Sequence, residues 1–595
     1  MKACFFLLFC LLLVLPLAGE TSISANISTS QTWTLAGSPY IITNSISVGG
    51  SATPVLTIEA GVEVRLNGGV SISIGTPYST QGGAIVSNGT EAEPVVFTAN
   101  SDTPVPGFWD CLQTLAYAHV ASTFTHTAFA YGGSSTGMFN VNNLQPEFAP
   151  SFDHCVFSHS SHQGLYHIST NAAIGASVSN CVFKNNAGYP LQANANQAYK
   201  LGAGNSYTGN VPNRILLRDV IISTPQTWLD QGVPYEAEND LQVRMGAGGL
   251  LQIMEGTEIR FGGGHSLIVG YTSNSFHGGL VATGATFSGC DGMDWNGIQF
   301  QPYITASSLD NCTVRDVVST ATGAVWLRNA NFAVSITDCE ICYNDSYGLQ
   351  ANDNAPFSLS GTDFQNNYLC VSVAARDLHK LGPGNTYQLN TDNRVHCRGG
   401  IVYESALWTN QGTPVLVQTG INLRFSAAGY LTLPWGTILE FASNTSFSVG
   451  YTSNSYAGAV SATGVTFRGE SPSAGHWQGL LFEYYGGSSL LSGCTIRDAG
   501  YGDVAGVRFK VPAATMTGCQ VLNCLAVGIR YETSQTQVAL TGNSISGCGS
   551  YPLSLPANCV RAIGEGNDFS GNNLPECDRV EVRHETVNVS CTWID

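Results

Sequence analysis

The chain has 595 residues, of which 11% are charged, 43% are hydrophobic and 67 are glycine, and its formal net charge is −18. A surface so poor in cations repels nucleic acid and anionic membranes, because binding a phosphate polymer needs clustered Lys and Arg. Neutral glycans, a cell-surface partner and mineral cations stay open as partners.

The first element is an apolar run over residues 3–17 behind Lys2, closed by Leu17-Ala18-Gly19. It reads as a Sec-type signal peptide over 1–19, which predicts a secreted or cell-surface protein. No later stretch reaches about 18 unbroken apolar residues, so no transmembrane segment is expected.

The phrase W-x3-G-x-P then opens three long repeats, at Trp33/Gly37/Pro39, Trp228/Gly232/Pro234 and Trp408/Gly412/Pro414, and Trp593 begins it again. Self-similarity on this scale sets the architecture. It divides the chain into super-repeats over 20–214, 215–394 and 395–580, with 581–595 either a truncated fourth repeat or an improvised cap.

Inside each repeat, short segments carry a small residue followed two positions later by a larger apolar one. They are Thr127/Phe129, Cys155/Phe157 and Cys181/Phe183, then Cys312/Val314, Cys339/Ile341 and Thr362/Phe364, then Cys494/Ile496, Cys519/Val521 and Asn543/Ile545. A step of two is the strand period. Strands recurring every 23 to 28 residues with no helix between them predict coils of a parallel β-helix. A second tryptophan column (Trp109, Trp295, Trp477) and a closing Gly-x-Gly-Asn (Gly204-Asn205, Gly384-Asn385, Gly566-Asn567) keep the same register.

These landmarks resemble the bacterial secreted right-handed parallel β-helix repeat proteins, whose coils are similar to those of the pectate-lyase-like superfamily. The resemblance implies an all-β, right-handed parallel β-helix in a secreted or surface setting. The superfamily includes lyases, hydrolases, adhesins and passive stalks, so the fold does not choose among them.

The six ladder cysteines share their column with Thr127, Thr362 and Asn543, so the position selects small inward side chains. They read as buried free thiols. Cys548 with Cys559, or Cys577 with Cys591, are candidate loop clips. No CxxC or His spacing fits structural zinc.

Candidate sites are sought where one repeat departs from the others. His126, His154, His159 and His162 cluster in the first; His126 and His154 each precede a ladder residue and are expected to stack outward on adjacent coils. Imidazoles so placed suit metal ligation or acid–base work. Tyr271, Tyr451, Tyr484 and Tyr485 form a candidate glycan platform. Asp291 and Asp294 beside Trp295 resemble a sugar-binding corner. Asn390-Thr391-Asp392 spells one motif of polygalacturonase-like hydrolases but falls in a closing loop, and Arg315-Asp316 and Arg497-Asp498 read as turns. Asn185-Asn186 and Asn366-Asn367 look like stacked turn asparagines. No catalytic residues, metal ligands or cofactor are assigned. The first reading is a non-catalytic rod for adhesion, spacing or carbohydrate binding. The alternatives are a polysaccharide lyase or glycoside hydrolase, and a metal-binding surface protein.

Overall fold

The structure is a computed structural model that describes residues 19–77, 81–118, 121–142, 148–167, 176–246, 249–319, 322–426, 428–453, 456–510, 513–573, 578–588 and 593. The signal-peptide reading and the Cys577–Cys591 clip lie outside these residues, apart from Gly19. The chain is an all-β parallel solenoid of about 20 turns with almost no helix, consistent with the right-handed β-helix expected. It comprises two compact units, one formed mainly by residues up to 222 with 226–239, the other mainly from 261 onward.

Each coil contributes three short strands, and each strand pairs in parallel with its counterpart one coil away. In the first unit Thr123–Thr125 pairs with Ser151–Asp153, Thr127–Ala130 with Val156–Ser158, and Phe139–Val141 with Leu165–His167. In the second unit Ser489–Ser492 pairs with Ala513–Thr517, Thr495–Arg497 with Gln520–Leu522, and Val507–Phe509 with Ile529–Tyr531. The nine small/large pairs all point into the core, and none of their eighteen side chains is more than 3% exposed. Phe129, Phe157 and Phe183 stack 5.0 and 4.8 Å apart, aromatic contact that adds to the area each ring buries.

Left-handed corners frame the ladder strand. Pairs of residues five apart take positive φ: His126/Tyr131, His154/His159, Asn180/Asn185 and Gly204/Gly209 in the first repeat, Asn311/Asp316, Asp338/Tyr343, Asn366 with Gly361, and Gly384/Leu389 in the second. Gly493/Asp498, Gly518/Asn523, Gly542/Gly547 and Gly566/Gly571 repeat the pattern in the third. The ladder residue follows the first corner, and the closing Gly-x-Gly-Asn is the same corner and ladder position in the last coil of each repeat.

Asparagine stitches the coils together. Asn205, Asn385 and Asn567 each accept from the backbone N–H of the ladder residue before them (Cys181, Thr362 and Asn543) at 2.9 to 3.1 Å. Their amides donate back to Gly202, Gly382 and Gly564. Behind the second corner, Asn186 accepts from Ser160 N–H, Asn344 from Val317 N–H and Asn572 from Cys548 N–H. Buried backbone groups that a turn leaves unpaired are thereby satisfied.

The tryptophan columns lock the corners in place. Trp109, Trp295 and Trp477 are fully buried, and each indole N–H donates to the carbonyl just before a second corner, at Ala130, Arg315 and Arg497, over 2.7 to 2.8 Å. Trp33, Trp228 and Trp408 are also buried, whereas Trp593 is 53% exposed and enters no core. In the second and third copies of the opening phrase, Gln231 and Gln411 accept from Tyr207 and Tyr387 hydroxyls and donate to Leu201 and Leu381 carbonyls. Each phrase thus fastens to the close of the preceding repeat.

All fourteen cysteines among the described residues are buried, and none of them is in a disulfide. The Cys548–Cys559 clip does not form: the Cys548 thiol faces Cys524 one coil away. No helix among the described residues is long and apolar enough to cross a membrane.

Candidate functional site

Tyr484 and Tyr485 follow the strand Gly479–Phe482 and stand 48% and 45% exposed. Lys510 follows Val507–Phe509 one coil on, and Thr533, Ser534 and Gln535 follow Ile529–Tyr531 on the next. Parallel register makes these turns neighbours, and together they line a cavity of about 430 Å³. Lys510 Nζ lies 3.3 Å from both carboxylate oxygens of Glu483 and 5.6 Å from the Tyr484 ring centre. The wall is therefore aromatic and hydroxylated, and its one cation is neutralised by a buried carboxylate. Aromatic faces flanked by hydroxyl and amide groups stack on the apolar faces of sugars and hydrogen-bond their rims.

Tyr271 and Tyr451 lie in matching turns, and an arginine covers one face of each. Arg244 stands 4.1 Å from the Tyr271 ring centre and Arg424 4.0 Å from that of Tyr451. Phe276 and Tyr456 meet the same rings edge-on. Much of the ring surface is spent on coil-to-coil packing.

The four histidines separate into different places. His126 and His154 stack with centroids 4.6 Å apart at 26°, and His154 Nδ1 lies 3.0 Å from Asp153. Asn180 and His154 together hold the Asp153 carboxyl below the ordinary range. His159 belongs to the other corner and stacks on Tyr131 at 5.0 Å. His162 turns away and donates through Nδ1 to Gly133 O over 2.8 Å. Among the described residues no group of three or more His, Cys, Asp or Glu is placed to hold a metal ion.

Other sequence candidates belong to the scaffold. The Asp291/Asp294 corner is corrected: the Trp295 indole is buried, stacked on Phe261 at 4.5 Å, and presents no face to a sugar. Asp316 and Asp498 are second-corner residues, which supports the turn reading of their Arg-Asp pairs. Asn390 accepts from Asn367 N–H within the asparagine ladder. Asp392 is gripped by Arg394 at 2.7 Å and by His396 at 3.0 Å. Burial alone raises the Asp392 carboxyl, and these donors more than reverse it, holding it far below the usual range.

Residues 26–137 match the family model of the pectate-lyase like beta helix domain. No curated protein matches the chain. Pectate-lyase-like coils, read with the solenoid geometry, support a carbohydrate-related role in general.

Two features escaped the sequence reading. Lys510 and Thr533–Gln535 complete the Tyr484–Tyr485 cavity from turns 25 to 50 residues away; the signal was the shared offset after each third strand. The network joining Arg394 to Asp392, Glu440 and Glu470 is the other. Its longest ion pair, Arg394 to Glu470, spans 76 residues of sequence, and only coil register reveals it.

Proposed function

We propose that this chain is a secreted or surface-displayed, non-catalytic carbohydrate-binding β-helix, and that the Tyr484–Tyr485 cavity is its glycan site. The observation that carries the reading is the pairing of two exposed, adjacent tyrosines with a cation already neutralised by Glu483. A charge-balanced aromatic wall favours a neutral sugar, in keeping with the net charge of −18, which repels acidic polymers. The stacked turns along the solenoid make the binding mode geometric: a polymer held at one cavity is offered further weak contacts on neighbouring coils.

The test is retention on insoluble neutral polysaccharides, with cellulose, xylan and mannan as probes. Wild-type chain retained on at least one of them, with affinity lowered tenfold or more by Tyr484→Ala with Tyr485→Ala, is the expected result. Retention indifferent to both substitutions would remove the cavity from the reading. Release of new reducing ends or of unsaturated products from the same substrates would overturn its non-catalytic part in favour of a lyase or hydrolase.

A further inference from the structure

We propose that a second cavity, beside the 3₁₀ helix Ala375–Lys380, binds a monoanionic carboxylate or sulfate ester carried on a small organic body. The cavity is about 190 Å³, and Arg376, His379, Lys380, Tyr403 and Glu404 are on its wall. The matching helices of the other repeats, Ala195–Lys200 and Ala557–Ala562, read Ala-Asn-Gln-Ala-Tyr-Lys and Ala-Asn-Cys-Val-Arg-Ala. Only the middle repeat places Arg, Asp, His and Lys within five residues, in a chain with 23 Lys and Arg in all.

The charges divide into one satisfied pair and one free grip. Asp377 is buried and accepts from Lys380 Nζ at 2.6 Å and from Asn354 N–H at 2.8 Å, so this acid and this lysine neutralise each other. Arg376 is different. Its guanidinium lies 5.3 Å from the Tyr403 ring centre, and among the described residues it has no carboxylate partner. Elsewhere in this unit Arg394, Arg398, Arg468 and Arg497 each have one. Arg244 and Arg424 also lie on tyrosine faces, and what sets Arg376 apart is that its tyrosine and guanidinium together line a cavity. A guanidinium braced on an aromatic face keeps its planar fork for an oxyanion. Glu404 is exposed on the same wall, and its charge disfavours a dianion such as phosphate while leaving room for a single negative charge.

The body of the ligand has a place as well. A shallower depression of about 760 Å³ shares Asn354, His379 and Lys380 with the cavity and continues over Pro356, Phe357 and Pro383. An anionic head in the small cavity leaves the attached ring over this apolar shelf.

The proposal is independent of the Tyr484 cavity, and the probes keep the two apart. Binding of glucuronate, glucose 6-sulfate, glucose and acetate to the full chain carrying Tyr484→Ala and Tyr485→Ala, which removes the other cavity's aromatic wall, is measured by calorimetry at low salt. Saturable binding of glucuronate or glucose 6-sulfate at one site is expected, tenfold or more tighter than glucose or acetate. Arg376→Gln is expected to weaken it at least tenfold and Arg376→Lys to retain part of it, with both melting transitions kept cooperative. Lys184→Gln, which removes one exposed cation from the other unit, is expected to leave it unchanged. Glucose binding as tightly as glucuronate, or binding unaffected by Arg376→Gln, would overturn the site. Acetate binding as tightly as glucuronate would overturn the role of the shelf.

Discussion

The His126 and His154 rings stack at 4.6 Å because both residues occupy the same left-handed corner on adjacent coils, with φ of 43° and 52°. The corner accepts few residue types. Gly carries no Cβ, and Asn, Asp and His are enriched there among the rest. The equivalent positions hold Asn180, Asn311, Asp338 and Gly493. A backbone requirement accounts for much of what looks like a functional departure.

This gives a first prediction. His126→Asn with His154→Asn satisfies the same corners and should leave stability within about 0.5 kcal/mol of wild type. His154→Val places a β-branched residue at positive φ and should cost about 1–2 kcal/mol. Urea denaturation compares them; equal losses for Asn and Val would show that the imidazoles, and not the corner, hold this turn.

Adjacent asparagines should behave differently although the sequence presents them as a pair. Asn185 is an exposed corner residue, whereas Asn186 is buried and bonds Ser160 N–H, Phe157 O and Asn210. Asn186→Ala strands several buried polar groups and should cost about 3 kcal/mol. Asn185→Ala should cost about 1 kcal/mol, from the corner alone. The same urea experiment reads both.

How much was legible follows from which interactions repeat in sequence. Cys155, Cys181 and their counterparts were readable as core because inward positions recur with strand period, and Trp109, Trp295 and Trp477 because large buried anchors keep their register. His154 was readable as outward and stacked, but its φ was not, since a single residue does not announce a left-handed backbone. The Asp291/Asp294 corner beside Trp295 stayed open in the sequence: apolar burial and sugar stacking use the same side chain, and only the Phe261 contact decides between them. The cavity at Tyr484 joins turns from three coils, and the Arg376 cavity joins a 3₁₀ helix to the turn at Tyr403; neither contact is local in sequence.

His167 supplies a pH prediction. Burial, with a smaller contribution from Lys200, pushes its pKa down from 6.5 to about 4. The folded state therefore keeps the imidazole neutral while the unfolded chain protonates it. Between about pH 6.5 and 4 the unfolded state binds the extra proton, so stability falls as pH falls. The loss from this one group reaches about 3 kcal/mol by pH 4. His167→Gln should show a flatter dependence of the urea midpoint over that window; identical slopes for the two proteins would contradict the burial argument.

Cys339 tests what the ladder position selects. Its thiol donates to Thr337 O at 3.2 Å, and Thr362, one coil on, sends its hydroxyl to Ser360 O at the same distance. Cys155, Cys181, Cys312 and Cys519 reach the carbonyl two residues back in the same way, at 3.1 to 3.5 Å. The position thus takes a small inward donor, and the thiol, the threonine hydroxyl and, at Asn543, the side-chain amide each supply one. Cys339→Thr should cost under about 1 kcal/mol, because it keeps the donor in a slightly altered shape. Cys339→Val matches Thr in shape and lacks the hydroxyl, so it should cost about 1 kcal/mol more than Cys339→Thr. If Val proves the milder of the two, the column is filled for volume alone and the thiol hydrogen bonds contribute nothing.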